Sequence, residues 1–202
     1  EGANTVTVRM TDVAGNERTH DLSFTLLSGK PAAPVLTLFC HSGLSASDLI
    51  TKNEAIQVVT ATGTTVLYST DATTWTSTFT PAEGSNTVYA RSVDVSGNHS
   101  DTTVLTFTLD KTVPLAVVVS LTSDSGSSTS DKISKSGNLS VNTSETGGLI
   151  EYSTNGGSWA TTFAAAEGVN NVKVRLTDTA GNVSDVTDYS FTLDTQAHAA
   201  PV

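Results

Sequence analysis

Cysteine is all but missing from this 202-residue chain. Cys40 stands alone, so no internal disulfide can form, and no CxxC or Cys/His cluster is present to hold zinc. Positive charge is scarce as well: ten Lys and Arg face 20 Asp and Glu, a formal net charge of −10. A basic nucleic-acid surface and a patch for anionic lipid are both excluded by that balance. Aromatic residues make up only 6% of the chain, which counts against an exposed sugar-binding platform. No apolar run approaches the roughly 18 residues that a membrane-spanning helix needs. GxSxG turns, HExxH helices, Gly-rich phosphate loops, EF-hand loops and the GGxGxD nonapeptide are all lacking, so no enzyme is expected. Cys40-His41 is the one nucleophile pair to weigh. On a strand, adjacent side chains point to opposite faces, which predicts a core-facing thiol beside a surface imidazole rather than a dyad. The opening Glu1-Gly2-Ala3-Asn4 carries no signal peptide and reads as part of something longer.

What the chain does have is Thr, Ser, Val, Asp, Asn and Gly, a mix that favours strands and turns over helices. It also has an internal repeat. Glu1-Gly2-Ala3-Asn4 returns as Glu83-Gly84-Ser85-Asn86 and Glu167-Gly168-Val169-Asn170, first 82 and then 84 residues on. Asp12-Val13-Ala14-Gly15-Asn16 returns as Asp94-Val95-Ser96-Gly97-Asn98 and Asp178-Thr179-Ala180-Gly181-Asn182 at the same offsets. Phe24-Thr25-Leu26 recurs at Phe107 and Phe191, and Trp75 matches Trp159. The chain therefore holds about two and a third copies of one unit. Pro-containing joins place the boundaries at 1–30 (a C-terminal remnant), 31–113, 114–197 and 198–202 (the start of a further linker).

Inside each copy the apolar period is 2. Val172, Val174 and Leu176 alternate with Lys173, Arg175 and Thr177, and Tyr189, Phe191 and Leu193 alternate after the turn. Further strands are predicted at 35–39, 55–60, 65–69 and 76–80, with counterparts at 116–121, 138–143, 149–153 and 160–164. About seven short strands in roughly 84 residues predict an all-β chain of tandem immunoglobulin-like sandwiches arranged end to end. Asn155-Gly156 supplies a tight turn.

That topology sends the carboxylates to the poles of each repeat. The Asp-x-x-Gly-Asn turns put Asp94, Asn98, Asp178 and Asn182 at N-terminal poles. Asp48 and Glu83 should lie near Asp110 at one C-terminal pole, and Asp124, Asp131 and Glu167 near Asp194 at the next. Each junction so gathers hard oxygen ligands of the kind calcium takes. Two of these motifs have a second reading. Asp-x-x-Gly-Asn is a sound hairpin turn on backbone grounds alone, and Glu-Gly-x-Asn can be a simple turn. Leu27 replaces the junction acid in the first copy and His41 stands where the last copy has Asp124, so the first junction is poorest in ligands. The recurring Arg9, Arg91 and Arg175 are expected on a solvated strand face, paired with a cross-strand acid. Trp75 and Trp159 are expected to pack in the core or beside a hairpin.

Tandem copies built on EGxN, then an Arg, then D-x-x-GN, and closing on FTLD-(K/T)-T resemble the bacterial Ig-like repeats of giant non-fimbrial adhesins exported by type I systems, those of the Salmonella type among them. The resemblance covers essentially the whole chain. It implies a secreted stalk, retained on the bacterial surface, that supports host-cell adhesion and whose repeats bind calcium within and between domains. Its partners would be neighbouring repeats and, through the parent protein, a host-cell surface ligand, with no nucleic acid and no membrane insertion. Two other functions stay open. One is a ligand-binding module for host glycan or protein, with the loop from Phe39 to Ile50 as its candidate. The other is an accessory domain of a secreted polysaccharide-degrading enzyme.

Overall fold

Residues 1–197 are described by the computed structural model, and their strands follow the alternation of the sequence. Residues 198–202, where a further linker is expected, lie outside the described residues. β1 (Gly2–Thr11) and β2 (Glu17–Leu26) form a two-stranded antiparallel hairpin, in register from Gly2 opposite Leu26 to Thr11 opposite Glu17. Its apolar residues Val6, Val8, Met10, Leu22, Phe24 and Leu26 are all exposed.

The middle repeat supplies β3 (Val35–Leu38), β4 (Ile50–Thr51), β5 (Ile56–Val59), β6 (Thr65–Ser69), β7 (Gly84–Val93) and β8 (Thr103–Leu109). The last supplies β9 (Val118–Leu121), β10 (Ile133–Ser134), β11 (Leu139–Asn142), β12 (Leu149–Thr154), β13 (Gly168–Thr177) and β14 (Thr187–Leu193). Each makes the same two sheets: β3-β5 with β4-β8-β7-β6, and β9-β11 with β10-β14-β13-β12. No helix occurs among the described residues. The fold is all-β and immunoglobulin-like.

One predicted strand in each full repeat needs correction. Residues 76–80 and 160–164 make no strand; each is reduced to a single bridge, Tyr68 to Thr76 and Tyr152 to Ala160. In the first case the Thr76 hydroxyl donates to the Thr78 carbonyl at 2.7 Å, a local bond that competes with a ladder. In the second, Phe163 leaves the strand direction to lie 5.9 Å from Tyr152 and 6.2 Å, edge-on, from Phe191. Conversely, the two-residue strands β4 and β10 were not foreseen. They pair parallel with β8 and β14, and each follows a left-handed residue, Leu49 at φ 57° and Lys132 at φ 61°, that redirects the chain. Two residues are too few to show a period.

By contact the chain divides into two compact units, and the division cuts through the middle repeat. One unit holds Glu1–Thr37, Ile56–Thr80 and Thr87–Thr106; the other holds Leu38–Ala55, Pro81–Asn86 and the chain from Phe107 onward. Residues of the middle repeat's C-terminal pole thus cluster with the last repeat.

The core of the last repeat is Val117, Val119, Val172, Val174, Leu176 and Phe191. The middle repeat aligns Leu36 on Val119, Val88 on Val172 and Phe107 on Phe191, but places Pro34 for Val117, Ala90 for Val174 and Ser92 for Leu176. Ser92 is fully buried and satisfied, with its hydroxyl 2.9 Å from Thr60 Oγ1 and its N–H donated to Ser100 Oγ at 2.8 Å. A buried Leu side chain contributes about 1.5–3 kcal/mol that a small polar one does not. At these positions the last repeat buries more apolar side chain.

The recurring Arg is not simply solvated. Arg91 lies over the Trp75 ring at 4.0 Å and Arg175 over Trp159 at 4.1 Å, so each Trp is half-buried under a guanidinium. Arg175 also donates to the cross-strand Glu151 at 2.9 Å, as Arg9 pairs with Glu17 at 3.2 Å. Opposite Arg91, however, stands Leu67, and the buried Arg91 Nε has no partner. Leu67→Glu is therefore expected to stabilise the middle repeat by about 1 kcal/mol, restoring the pair that Glu151 gives the last one. Thermal unfolding of the variant checks this, and a fall in melting temperature would contradict it.

Candidate functional site

The Asp-x-x-Gly-Asn turn builds itself from its own residues. In the first copy Asp12 Oδ1 accepts the N–H groups of Ala14 at 2.8 Å and Asn16 at 2.9 Å, and Asp12 Oδ2 accepts the Asn16 amide at 2.8 Å. Asp94 repeats this with Ser96 N–H and with Asn98 N–H and amide, each at 2.9 Å. Asp178 takes the Asn182 N–H at 2.8 Å and its amide at 2.9 Å. The glycine of each turn sits at positive φ (84°, 85° and 91°), which any other residue would resist. Asn16 and Asn98 hold the Asp12 and Asp94 carboxyls below the usual range, side-chain bonds first and backbone bonds next.

The same turn meets three different surroundings. Residues 12–16 are exposed, 94–98 partly so, and 178–182 are buried but for Thr179, with Asp178 only 2% exposed. In the second and third turns the Asn amide spends its other hydrogen on the preceding repeat. Asn98 donates to the Leu27 carbonyl at 2.9 Å, and Asn182 to the Asp110 carbonyl at 2.8 Å. These acceptors occupy equivalent positions, 83 residues apart.

At the second junction, which lies within one compact unit, the loop after β3 adds a grip. Ser42 Oγ donates to the Ala180 carbonyl at 2.8 Å, Leu44 N–H to the Thr179 carbonyl at 3.1 Å, and Lys52 Nζ to the Gly181 carbonyl at 2.5 Å. Three successive carbonyls of the turn are thus taken. The approach is so close that a Cβ on Gly43 would lie 2.6 Å from the Thr179 carbonyl oxygen, and a Cβ on Gly181 would overlap that of Ser42. The loop from Phe39 to Ile50, the sequence's candidate for ligand binding, is engaged in this contact.

The Glu-Gly-x-Asn motif is a second clamp. Glu83 accepts the Lys111 N–H at 3.0 Å and the Thr112 hydroxyl at 3.1 Å, while Glu167 accepts the Thr195 N–H at 3.2 Å and its hydroxyl at 2.8 Å. Glu1 holds Ser28 in the same way. Each Glu therefore fastens the residues that follow the final strand of its repeat. The buried Asn86 and Asn170 close the turn beneath, Asn170 accepting the Ala166 N–H at 2.9 Å and donating to the Ala166 carbonyl at 2.7 Å. Nothing but recurrence marked these two Asn residues in the sequence.

The other candidate acids cap local turns. Asp48 and Asp131 accept the N–H of Ile50 and Ile133, both at 3.0 Å, and Asp110 and Asp194 accept the N–H two residues on. Asp124 Oδ2 accepts Lys132 N–H at 2.9 Å, but its Oδ1 is buried without a partner. In the middle repeat His41 takes the place of Asp124, and its Nε2 lies 3.3 Å from Asp48 Oδ1 without the direction of a hydrogen bond. An imidazole thus stands beside one carboxylate where the last repeat has two. The Cys40-His41 expectation is reversed: β3 ends at Leu38, Cys40 sits at φ 52° with an exposed side chain, and the half-buried His41 ring is the less exposed of the two.

One acid escaped the sequence reading. Burial raises the Glu145 carboxyl above its usual range, and the charges of Asp178 and Asp110 raise it further. Among the described residues no three His, Cys, Asp or Glu side chains already converge as a metal site. Two oxygen features stand out all the same: Asp124 Oδ1 is buried without a partner, and Asp178 and Asp110 lie near enough to Glu145 for their charges to act on it.

Comparison with known proteins finds a family match over part of the chain. Residues 118–195 match the family model of the bacterial Ig-like domain. No curated protein matches in sequence. Among solved structures, the fibronectin(III)-like modules of Clostridium thermocellum CbhA align over 83% of this chain and all of theirs, with 14% identity and a TM-score of 0.45. A structure bearing on host cell surface retention of a 1.5-MDa bacterial ice-binding adhesin aligns over 95% of this chain and 73% of its own, with 20% identity and a TM-score of 0.30.

Proposed function

We propose that this chain is a spacer segment of a bacterial surface adhesin of the type I-secreted kind, the Salmonella type included, whose repeats are locked to one another and stiffened by calcium outside the cell. The observation that carries this reading is the pair of recurring clamps. The Asn of each Asp-x-x-Gly-Asn turn holds the last strand of the preceding repeat, and the Glu of each Glu-Gly-x-Asn motif holds the residues leading onward. Both sets of conserved-in-repeat side chains are used where repeats meet, which is what a spacer needs and what a solitary binding domain does not. Binding of a host-cell surface ligand would then fall to other parts of the parent protein.

In this reading calcium is held by Asp110, Asp178 and Glu145, with the amide oxygen of Asn182, at the second junction. At the C-terminal pole of the last repeat it is held by Asp124, Asp131 and Asp194. When bound it supplies positive charge that turns carboxylate repulsion into shared coordination. Extracellular calcium modules have dissociation constants of about 10⁻⁴–10⁻³ M. At tenfold saturation one site contributes about 1.4 kcal/mol. For a repeat of this size the melting temperature should rise by roughly 5–10 °C between chelator and millimolar calcium. Glu145→Gln should raise it in chelator, because the ionised carboxylate costs stability there, and should shrink the calcium gain. An unchanged melting temperature across the titration would remove calcium from the proposal and leave the hydrogen-bonded clamps.

A further inference from the structure

Asn155 is the only Asn in the chain that precedes a glycine. The two residues form the exposed tip between β12 and β13. Both sit at positive φ, 52° and 77°, and the Gly157 N–H donates to the Thr154 carbonyl at 2.9 Å, the pattern of a type I′ turn. The Asn155 N–H is held by the Asn171 carbonyl at 3.0 Å, and Ser153 Oγ donates to the Gly157 carbonyl at 2.6 Å. Among the described residues, however, neither the Asn155 side-chain amide nor the Gly156 N–H has a hydrogen-bond partner. A Cβ at Gly156 would meet nothing within 4 Å, so its nitrogen is open to approach. Asn155 and Gly156 also line an open cavity of about 460 Å³, which leaves the side chain room to turn.

The other Asn residues are engaged, buried or crowded. Asn16, Asn98 and Asn182 give their amides to the Asp of their own turns, and Asn4 and Asn53 to backbone carbonyls. Asn86 and Asn170 are buried. Asn138, Asn142 and Asn171 precede Leu139, Thr143 and Val172, whose side chains crowd the next backbone nitrogen.

We propose that Asn155 is a site of spontaneous modification, deamidated by the backbone nitrogen of Gly156. That nitrogen gives up its proton to solvent and bonds to Asn155 Cγ. The Cγ–Nδ2 bond breaks, and the amide nitrogen leaves as ammonia, taking up a proton. Water then adds to either carbonyl of the resulting succinimide ring and opens it, giving Asp or an isoaspartyl link. One water is consumed and one ammonia released, with no oxidant or reductant. The turn must open for the attack, which the short, exposed tip permits. The middle repeat already carries the α-linked product: Asp71 occupies the equivalent position, 84 residues earlier. Its Oδ1 accepts the N–H groups of Thr73 at 2.8 Å and Thr74 at 2.7 Å and the Ser69 hydroxyl at 2.8 Å. Those bonds, Thr74 first, hold its carboxyl below the usual range, so the fold has a place for an acid there.

Ammonia release and fragment mass spectrometry test the proposal on the whole chain, held for weeks at body temperature and mildly alkaline pH. One equivalent of ammonia should appear per chain, faster as the pH is raised. The mass gain of amide to acid should fall on Asn155, with part of the product as isoaspartate. Asn155→Gln should lose both signals, because its longer side chain would have to close a larger and slower-forming ring. A wild-type chain that releases no ammonia overturns the proposal. So does a mass gain that falls first on another Asn, or release undiminished in Asn155→Gln.

Discussion

Phe191→Ala is expected to cost the last repeat about 3–5 kcal/mol. Phe191 is 2% exposed at the centre of the last core, with Phe163 edge-on at 6.2 Å and Tyr189 tilted at 6.1 Å. Removing the ring leaves a cavity that Val172 and Val174 cannot fill, because both are β-branched and fixed on one strand. Domains of this size have only about 5–15 kcal/mol in total, so much of the margin goes with one side chain. The equivalent Phe107→Ala should bring the middle repeat closer still to unfolding, since Ala90 and Ser92 already give it a thinner core. Denaturant unfolding followed by Trp159 fluorescence checks the first case and Trp75 the second. A loss below about 1 kcal/mol at Phe191 would mean the core is not where its burial places it.

Gly181→Val should release the second junction while leaving both repeats folded. A Cβ there runs into the Ser42 carbonyl, so the turn must withdraw and the bonds from Ser42, Leu44 and Lys52 go with it. A β-branched residue at φ 91° is also strained in itself. Gly97→Val separates the two effects: it carries the same strain at φ 85°, with nothing within 4 Å of its Cβ. Hydrogen exchange at the Leu44 amide reads the outcome. Gly181→Val should raise its exchange rate about a hundredfold, the loss of two or more net hydrogen bonds, and Gly97→Val should not change it. Equal exchange in the two variants would show that the grip does not hold the turn.

The strands with a long period were legible from residues alone. Val172, Val174 and Leu176 alternate with polar neighbours over enough positions to fix both the strand and its buried face, and β13 carries that pattern unaltered. The turns were legible too, because Asp, Gly and Asn close them through bonds to residues no more than four away. Recurrence also singled out Asn98, Asn182, Glu83 and Glu167, whose hydrogen bonds fasten the ends of the repeats. Neither the two-residue strands β4 and β10 nor the loss of strand at 76–80 and 160–164 could be read in this way. Short pieces take their state from partners far along the chain.

Chemistry at the junctions divides along the same line. Sequence by itself determined the repeat, the all-β fold class, the absence of catalytic motifs, and the gathering of Asp, Asn and Glu at the ends of each unit, since all of these follow from local pattern and composition. Only the tertiary structure decided what those side chains do. Asn98 and Asn182 reach the carbonyls of Leu27 and Asp110, 71 and 72 residues back along the chain, and Ser42 and Lys52 close on a turn more than a hundred residues ahead. Glu145 became conspicuous only when folding set it near Asp178 and Asp110. Local pattern fixes what a residue can offer, whereas its partner is set by which distant segment the packed sheets bring within about 3 Å, the reach of a hydrogen bond.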